Sequence, residues 1–322
     1  MEAGSVRSRA PSARAPVPWR APRGARASVR PRPAGRVRRR ALALAVSGSL
    51  LAGAAGAAAQ EVTIESLLRA PFPSELVAAP SGGLVAWVEN AEGRRNIWVA
   101  GPPDYRGRRL TNYTEDDGQE LGGLAFSPDG RVLVYVRGGP PNRQGEVPNP
   151  TSDPAGAEQA LWRVAVEGGA PVRIGPGSAP AISPRGDGVA FLRGGQIWWA
   201  PLDGSREPAP LVRARGSAGS LRWSPDGSKL AFVSNRGDHS FIGVYDVAAK
   251  TVRFLAPSVD RDQSPVWSPD GTRIAFVRIP ASTRIGLFKP VREAEPWSIW
   301  VAEVATGQAA EIWRADRGRG SA

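Results

Sequence analysis

A tight turn, Ser-Pro-Asp-Gly, set between two short apolar runs, recurs along this chain and constrains its fold more than any other feature. The best copy is Ser224-Pro225-Asp226-Gly227, with Leu221-Arg222-Trp223 before it and Leu230-Ala231-Phe232-Val233 after it. Others are Ser127-Pro128-Asp129-Gly130 and Ser268-Pro269-Asp270-Gly271, with a looser Ser183-Pro184-Arg185-Gly186 and a degenerate Pro80-Ser81-Gly82-Gly83. Proline presets φ at the second turn position, aspartate bonds back to the backbone, and glycine takes the conformation other residues avoid, so each copy reads as a hairpin turn. Ser81, Ser127, Ser183, Ser224 and Ser268 are separated by 46, 56, 41 and 44 residues. A period in this range marks a repeat architecture.

Each repeat offers the same strands in the same order. After the turn come Val85-Ala86-Trp87-Val88, Leu133-Val134-Tyr135-Val136, Val189-Ala190-Phe191-Leu192, Leu230-Ala231-Phe232-Val233 and Ile274-Ala275-Phe276-Val277. These runs are apolar on both faces, as suits a strand covered from both sides. An aromatic points one way and a small or β-branched residue the other, so the bulky face of one sheet can pack on the smaller face of the next. A further strand follows, at Ile97-Trp98-Val99, Leu161-Trp162-Arg163-Val164, Ile197-Trp198-Trp199, Ile242-Gly243-Val244-Tyr245 and Ile299-Trp300-Val301. It carries about half of the eleven tryptophans, which assigns them to packing between sheets rather than to a ligand cage. More polar runs, such as Arg109-Leu110-Thr111, Val172-Arg173-Ile174 and Thr251-Val252-Arg253-Phe254, end the unit as outer edges.

Four antiparallel strands repeated radially make an all-β fold, a β-propeller of about five blades, either closed on itself or part of a seven- or eight-bladed ring. The blades are expected near residues 79–112, 121–175, 179–213, 220–256 and 264–314. A short helical lead-in is expected over residues 60–78, because Ile64, Leu67 and Leu68 share a helical face ahead of Pro71 and Pro73.

The net charge of +12 belongs largely to the leader. Residues 1–40 carry twelve arginines and Glu2, a net of +11, which leaves +1 for the rest and argues against a nucleic-acid partner. Arg38-Arg39-Arg40, the apolar Ala41–Ala58 and the small residues Ala57-Ala58-Ala59 have the form of a secretory signal cleaved after Ala59, so residues 1–59 read as a basic leader and signal peptide. The Ala/Gly-rich run is weakly hydrophobic for a stable membrane span. The mature protein is therefore expected in the periplasm or outside the cell. The absence of cysteine removes disulfides, thiolate metal sites and cysteine nucleophiles.

The Ser-Pro-Asp-Gly hairpins, the lead-in after a signal and the stretch Ser234-Asn235-Arg236-Gly237-Asp238-His239-Ser240-Phe241-Ile242-Gly243-Val244-Tyr245-Asp246 together resemble the N-terminal propeller of prolyl oligopeptidase-family serine peptidases of the dipeptidyl-peptidase IV-like branch. The resemblance covers about residues 61–322 and implies a serine-type peptidase in which the propeller gates and orients peptides for an α/β-hydrolase domain. The turn alone is shared with TolB-type periplasmic propellers, which implies the alternative of a stand-alone scaffold that binds a protein partner.

The catalytic half of such a peptidase is not legible in these residues. A nucleophile elbow, Gly-x-Ser-x-Gly, does not occur, and His239 is the single histidine. No phosphate loop or zinc helix is present, so neither cofactor nor metal is expected. What remains is recognition. In an up-and-down blade the loops between blades share one end with the loops between the second and third strands. That end collects Glu115, Asp116, Asp117, Glu120, Asp238, His239, Asp260 and Asp262, together with the long excursion Gly138–Glu158. Acidic groups there suit the α-amine of a peptide, although related peptidases use a Glu-Glu pair that this sequence lacks. The partners expected are thus a peptide substrate, a hydrolase domain or another protein.

Overall fold

The computed structural model describes residues 63–281 and 296–315. The expected leader, residues 1–59, lies outside them. The chain enters through α1 (Ile64–Leu68), where Thr63 and Ser66 form a reciprocal cap: Ser66 N–H donates to Thr63 Oγ1 and Thr63 N–H to Ser66 Oγ, both at 3.1 Å. The expected lead-in is confined to this single turn. Residues Phe72–Ala78, read as its continuation, are instead the first strand of the first blade.

Among the described residues five antiparallel four-stranded blades follow, the last two joined into one sheet by the parallel bridge Ser240↔Arg261. Blade 1 is β1 (Phe72–Ala78), β2 (Val85–Ala91), β3 (Arg94–Ala100) and β4 (Arg108–Arg109). Blade 2 is β5 (Leu121–Phe126), β6 (Val132–Arg137), β7 (Ala160–Ala165) and β8 (Val172–Pro176). Blade 3 is β9 (Ser178–Ile182), β10 (Gly188–Arg193), β11 (Gln196–Pro201) and β12 (Ala209–Val212). Blade 4 is β13 (Ser217–Trp223), β14 (Lys229–Asn235), β15 (Ser240–Asp246) and β16 (Thr251–Leu255). Blade 5 is β17 (Arg261–Trp267), β18 (Arg273–Ile279), β19 (Trp297–Glu303) and β20 (Ala309–Ala315). Strand order in each blade follows the chain, and the first strands of successive blades adjoin, β1 to β5, β5 to β9, β9 to β13 and β13 to β17. This is the β-propeller expected from the repeat.

Four junction cores hold the blades together, and each is built by one rule. The second and fourth residues of the four-residue apolar run in a blade's second strand, with aliphatic residues of its third strand, receive the first and third residues of the corresponding run in the next blade. Thus Ala86, Val88, Ile97 and Val99 of blade 1 receive Leu133 and Tyr135 of blade 2. Val134 and Val136 receive Val189 and Phe191, Ala190 and Ile197 receive Leu230 and Phe232, and Ala231, Ile242 and Val244 receive Ile274 and Phe276. Phe191, Phe232 and Phe276 are fully buried, each contributing about 1.5–3 kcal/mol. Cross-strand register places a tryptophan opposite the aromatic at Trp87↔Trp98, Tyr135↔Trp162, Phe191↔Trp198 and Phe276↔Trp300. Blade 4 differs: Gly243 lies opposite Phe232, whose ring covers it.

The turns at the other end are tied internally and to one another. Ser127, Ser224 and Ser268 donate to Asp129, Asp226 and Asp270 at 2.5–2.6 Å, and each Ser Oγ accepts the N–H five residues on. Gly130, Gly186, Gly227 and Gly271 take φ of 67–72°, the left-handed region that the turn requires. Ser81 Oγ donates to Pro128 O at 2.7 Å and Arg185 Nε to Asp226 O at 3.0 Å, linking neighbouring turns. Trp223 and Trp267, just before their turns, donate the indole N–H to Ala181 O and Arg222 O of the preceding blade, both at 2.9 Å.

One repeated device is invisible in the residue types. Each inner strand carries a β-bulge whose first residue, Glu75, Gly123, Ala179, Ser220 or Ser264, has φ of 50–59°. Bulges of this kind sharpen twist and bend a strand. The second bulge residue enters the junction with the preceding blade, as Leu124 and Leu221 do.

Candidate functional site

The antiparallel order places the loops after the second and fourth strands at one end of the sheets and the Ser-Pro-Asp-Gly turns at the other. The loop-bearing end is irregular. Blade 3 contributes a two-residue Gly194-Gly195 hairpin, whereas blade 2 contributes the excursion over residues 138–159. The excursion is a built loop. Asn142 Oδ1 accepts from Gln144 N and Glu146 N, Asn149 Oδ1 accepts from Asp153 N at 3.1 Å, and Gly138 N–H donates to Glu120 O at 2.9 Å.

Between this loop and the β4–β5 connection lies a cleft of about 180 Å3, whose lining includes Asp117, Gln119, Arg137, Asn149, Asp153 and Glu158. Arg137, the last residue of β6, forms the floor. Its guanidinium pairs with Asp117 and sits 4.8 Å from the centre of the Tyr113 ring. Beneath it the Tyr113 and Tyr135 hydroxyls meet at 2.7 Å. Burial pushes both phenols above their usual range, so both are neutral. Glu158 is held by a bidentate pair with Arg173, both bonds 2.6 Å, which keeps its carboxyl below the usual range.

The charge balance follows from these pairs. Arg137 offsets Asp117 and Arg173 offsets Glu158, leaving the surplus negative charge of Asp153. The Asp153 carboxylate accepts only a backbone N–H, that of Ala155 at 2.9 Å, among the bonds its side chain makes to described residues. The cleft can hold a cation by charge-assisted hydrogen bonds, with the amides of Gln119 and Asn149 beside it.

The expected acidic residues separate into two groups and one outlier. Asp117 lines the cleft. Glu115, Asp116 and Glu120 are exposed on the same β4–β5 connection, Asp116 lying 3.8 Å from Arg95. Asp238, His239 and Asp260 form a second group at the blade 4–5 junction. There His239 Nδ1 and Asp238 Oδ1 are 2.6 Å apart, the His239 ring packs on Phe241, and Asp260 O accepts Ser240 N–H at 3.2 Å. The His239 bond holds the Asp238 carboxyl below its usual range. Asp260 Oδ1 is occupied by Ala281 N–H at 3.0 Å.

Asp262 is the outlier, because it is fully buried. Arg278 Nε and Nη2 grip its two oxygens at 2.7 and 2.8 Å, Nη2 also donates to Ala256 O, and Ser240 Oγ donates to Asp262 O at 2.7 Å. Burial raises the Asp262 carboxyl and Arg278 opposes that rise. Its place is structural: it ties β17 to β15 and to the β16–β17 connection. Sequence reasoning missed Arg137, Asn149 and Asp153. The available signal was Arg137 itself, a charged residue ending the apolar run Leu133-Val134-Tyr135-Val136 just before the long loop.

No family model and no curated protein matches this chain. Solved structures resemble it in fold. Hydrazine synthase of Kuenenia stuttgartiensis is 17% identical with a TM-score of 0.50, over 74% of this chain and 65% of that one. TolB of Acinetobacter baumannii is 18% identical with a TM-score of 0.49, over 77% and 55%. The β-propeller domain of the trilobed protease of Pyrococcus furiosus is 19% identical with a TM-score of 0.44, over 61% and 57%. Among the described residues no helix is long and apolar enough to cross a membrane. At these identities the likeness goes no further than the fold, and the β-propeller itself is read from the strand topology above.

Proposed function

We propose that this chain is an exported recognition module, the propeller of a prolyl oligopeptidase-like serine peptidase, which binds and orients peptides for catalytic residues carried on other polypeptide. The observation that carries the reading is the blade 2 cleft, a polar recess lined by one carboxylate without a cation partner among the described residues, that of the exposed Asp153 on the loop itself. A peptide α-amine would bond to Asp153, with the amides of Asn149 and Gln119 flanking it. Arg137 stays locked to Asp117 and Tyr113, and so fixes the floor rather than the ligand. With no nucleophile elbow in the sequence, the chain binds without cleaving.

The test titrates short peptides with free and with acetylated N-termini into the full chain, followed by calorimetry. Free-amine peptides are expected to bind more tightly, with salt sensitivity, and Asp153→Asn to weaken them about tenfold, the equivalent of one charged hydrogen bond. Equal binding of both peptide sets would overturn the reading. So would turnover of a dipeptidyl chromogenic substrate that a serine inhibitor blocks.

The connected arc of turns at the opposite end, Ser81 to Pro128 and Arg185 to Asp226, favours a second reading, a stand-alone TolB-like scaffold that docks a protein there. A coding region for Gly-x-Ser-x-Gly beside this gene supports the first reading, and its absence the second.

A further inference from the structure

Among the described residues the junction rule leaves two faces without partners, and they are complementary. On blade 5 the receiving set is Ala275, Val277, Ile299 and Val301, paired in register as Ala275↔Val301 and Val277↔Ile299. Residue for residue it reproduces Ala86, Val88, Ile97 and Val99 of blade 1 and Ala231, Val233, Ile242 and Val244 of blade 4, which are both filled. Yet none of the four belongs to a junction core among the described residues. Val266, at the inner-strand position where Val77 and Ala181 pack, is 60% exposed. On blade 1 the inserting set is Val85, Trp87, Trp98 and Ala100, the counterpart of Ile274, Phe276, Trp300 and Ala302. Leu76, at the bulge position by which Leu124 and Leu221 enter their junctions, is 73% exposed.

Within one molecule β1 and β17 do not adjoin as the successive inner strands do.

We propose that the receiving face of blade 5 takes the inserting face of blade 1 from a second copy of this chain, continuing head to tail the interface that already repeats four times inside each copy. The two surfaces differ, so the contact is heterologous and either closes a ring or extends a chain of subunits.

The experiment measures the mass of the full-length protein by light scattering from low to high micromolar concentration. The wild type is expected to associate with rising concentration. Leu76→Glu removes the inserting face and Val266→Glu the receiving face, both at exposed positions, and each variant alone is expected to stay monomeric. Mixed, they retain one good face each and are expected to give a one-to-one dimer of doubled mass and nothing larger. A wild type that stays monomeric, a mixture that stays monomeric while circular dichroism shows both variants folded, or a single variant that still dimerises would each overturn the proposal. If either variant is unfolded, Val277→Arg on the receiving face and Val85→Glu on the inserting face replace them in the same mixing test.

Discussion

Replacing Gly243 by alanine reverses an ordinary rule. In a strand interior, glycine to alanine usually stabilises by about 0.5–1 kcal/mol, because alanine loses less backbone entropy on folding. At Gly243 an added Cβ would lie 2.6, 2.9 and 3.0 Å from Cζ, Cε1 and Cε2 of Phe232, well inside van der Waals contact. The ring cannot retreat freely, because Phe232 is fully buried among Ala190, Ile197, Leu221 and Leu230 in the blade 3–4 junction. Overpacking of this kind costs about 1–3 kcal/mol. Gly243→Ala is therefore expected to lower stability by that amount, a fall in melting temperature of about 2–4 °C for each kcal/mol in a body of this size. Phe232→Leu alone is expected to cost about 1–2 kcal/mol for lost burial. In the Phe232→Leu background the alanine should cost almost nothing, giving a coupling energy of about 1–3 kcal/mol. Urea unfolding followed by tryptophan fluorescence measures all four corners of the cycle. An alanine that stabilises the wild-type background, or the same cost in both backgrounds, would refute the assignment of Phe232 to the space over Gly243.

Ser224→Ala removes the donor to Asp226 and the acceptor of Lys229 N–H, and should cost about 1–2 kcal/mol by urea unfolding. Hydrogen bonds from Ser268 and from Thr272 hold the Asp270 carboxyl at about 2, below its unfolded value. Its contribution is thus full above the unfolded carboxyl pKa and fades as pH falls through about 2; an NMR titration of Asp270 that moves up towards the ordinary range in Ser268→Ala checks the cause. Asp262→Ala strands the Arg278 guanidinium in the core and should cost about 3–5 kcal/mol, most of it regained when Arg278→Met is added, as read by melting temperature.

The turns and apolar runs were legible because their chemistry is local: proline, aspartate and glycine specify the hairpin, and an aromatic alternating with alanine or valine specifies two unlike faces. The strand Phe72–Ala78 was not. Pro71 and Pro73 read as helix terminators, and Pro73 is tolerated in β1 because β1 is an edge strand of its sheet, hydrogen-bonded to β2 alone. The bulges were hidden for a different reason, since Glu, Ala and Ser hold a conformation that residue type would assign to glycine. Asp260 and Asp262 look alike in sequence, yet the start of β17 falls between them, leaving one near the surface and turning the other into the core. The cleft depended on contact between segments about forty residues apart, Asp117 to Asp153. No local signal specifies such a pairing.

The stacking of blade on blade is the claim on which fold, cleft and self-association all rest, and the absence of native cysteine makes it directly testable. A Cβ on Gly130 would lie 3.9 Å from Ala79 Cβ across the blade 1–2 boundary, within the span of a disulfide. Ala79→Cys with Gly130→Cys closes a loop of about fifty residues, worth about 4 kcal/mol from the unfolded chain, less about 1–2 kcal/mol for a non-glycine residue at φ 71°. Mass spectrometry after oxidation should find one intramolecular disulfide, and the oxidised protein should melt higher than its reduced form. Two free thiols in a folded, oxidised protein, or cross-links only between molecules, would contradict the arrangement of the blades.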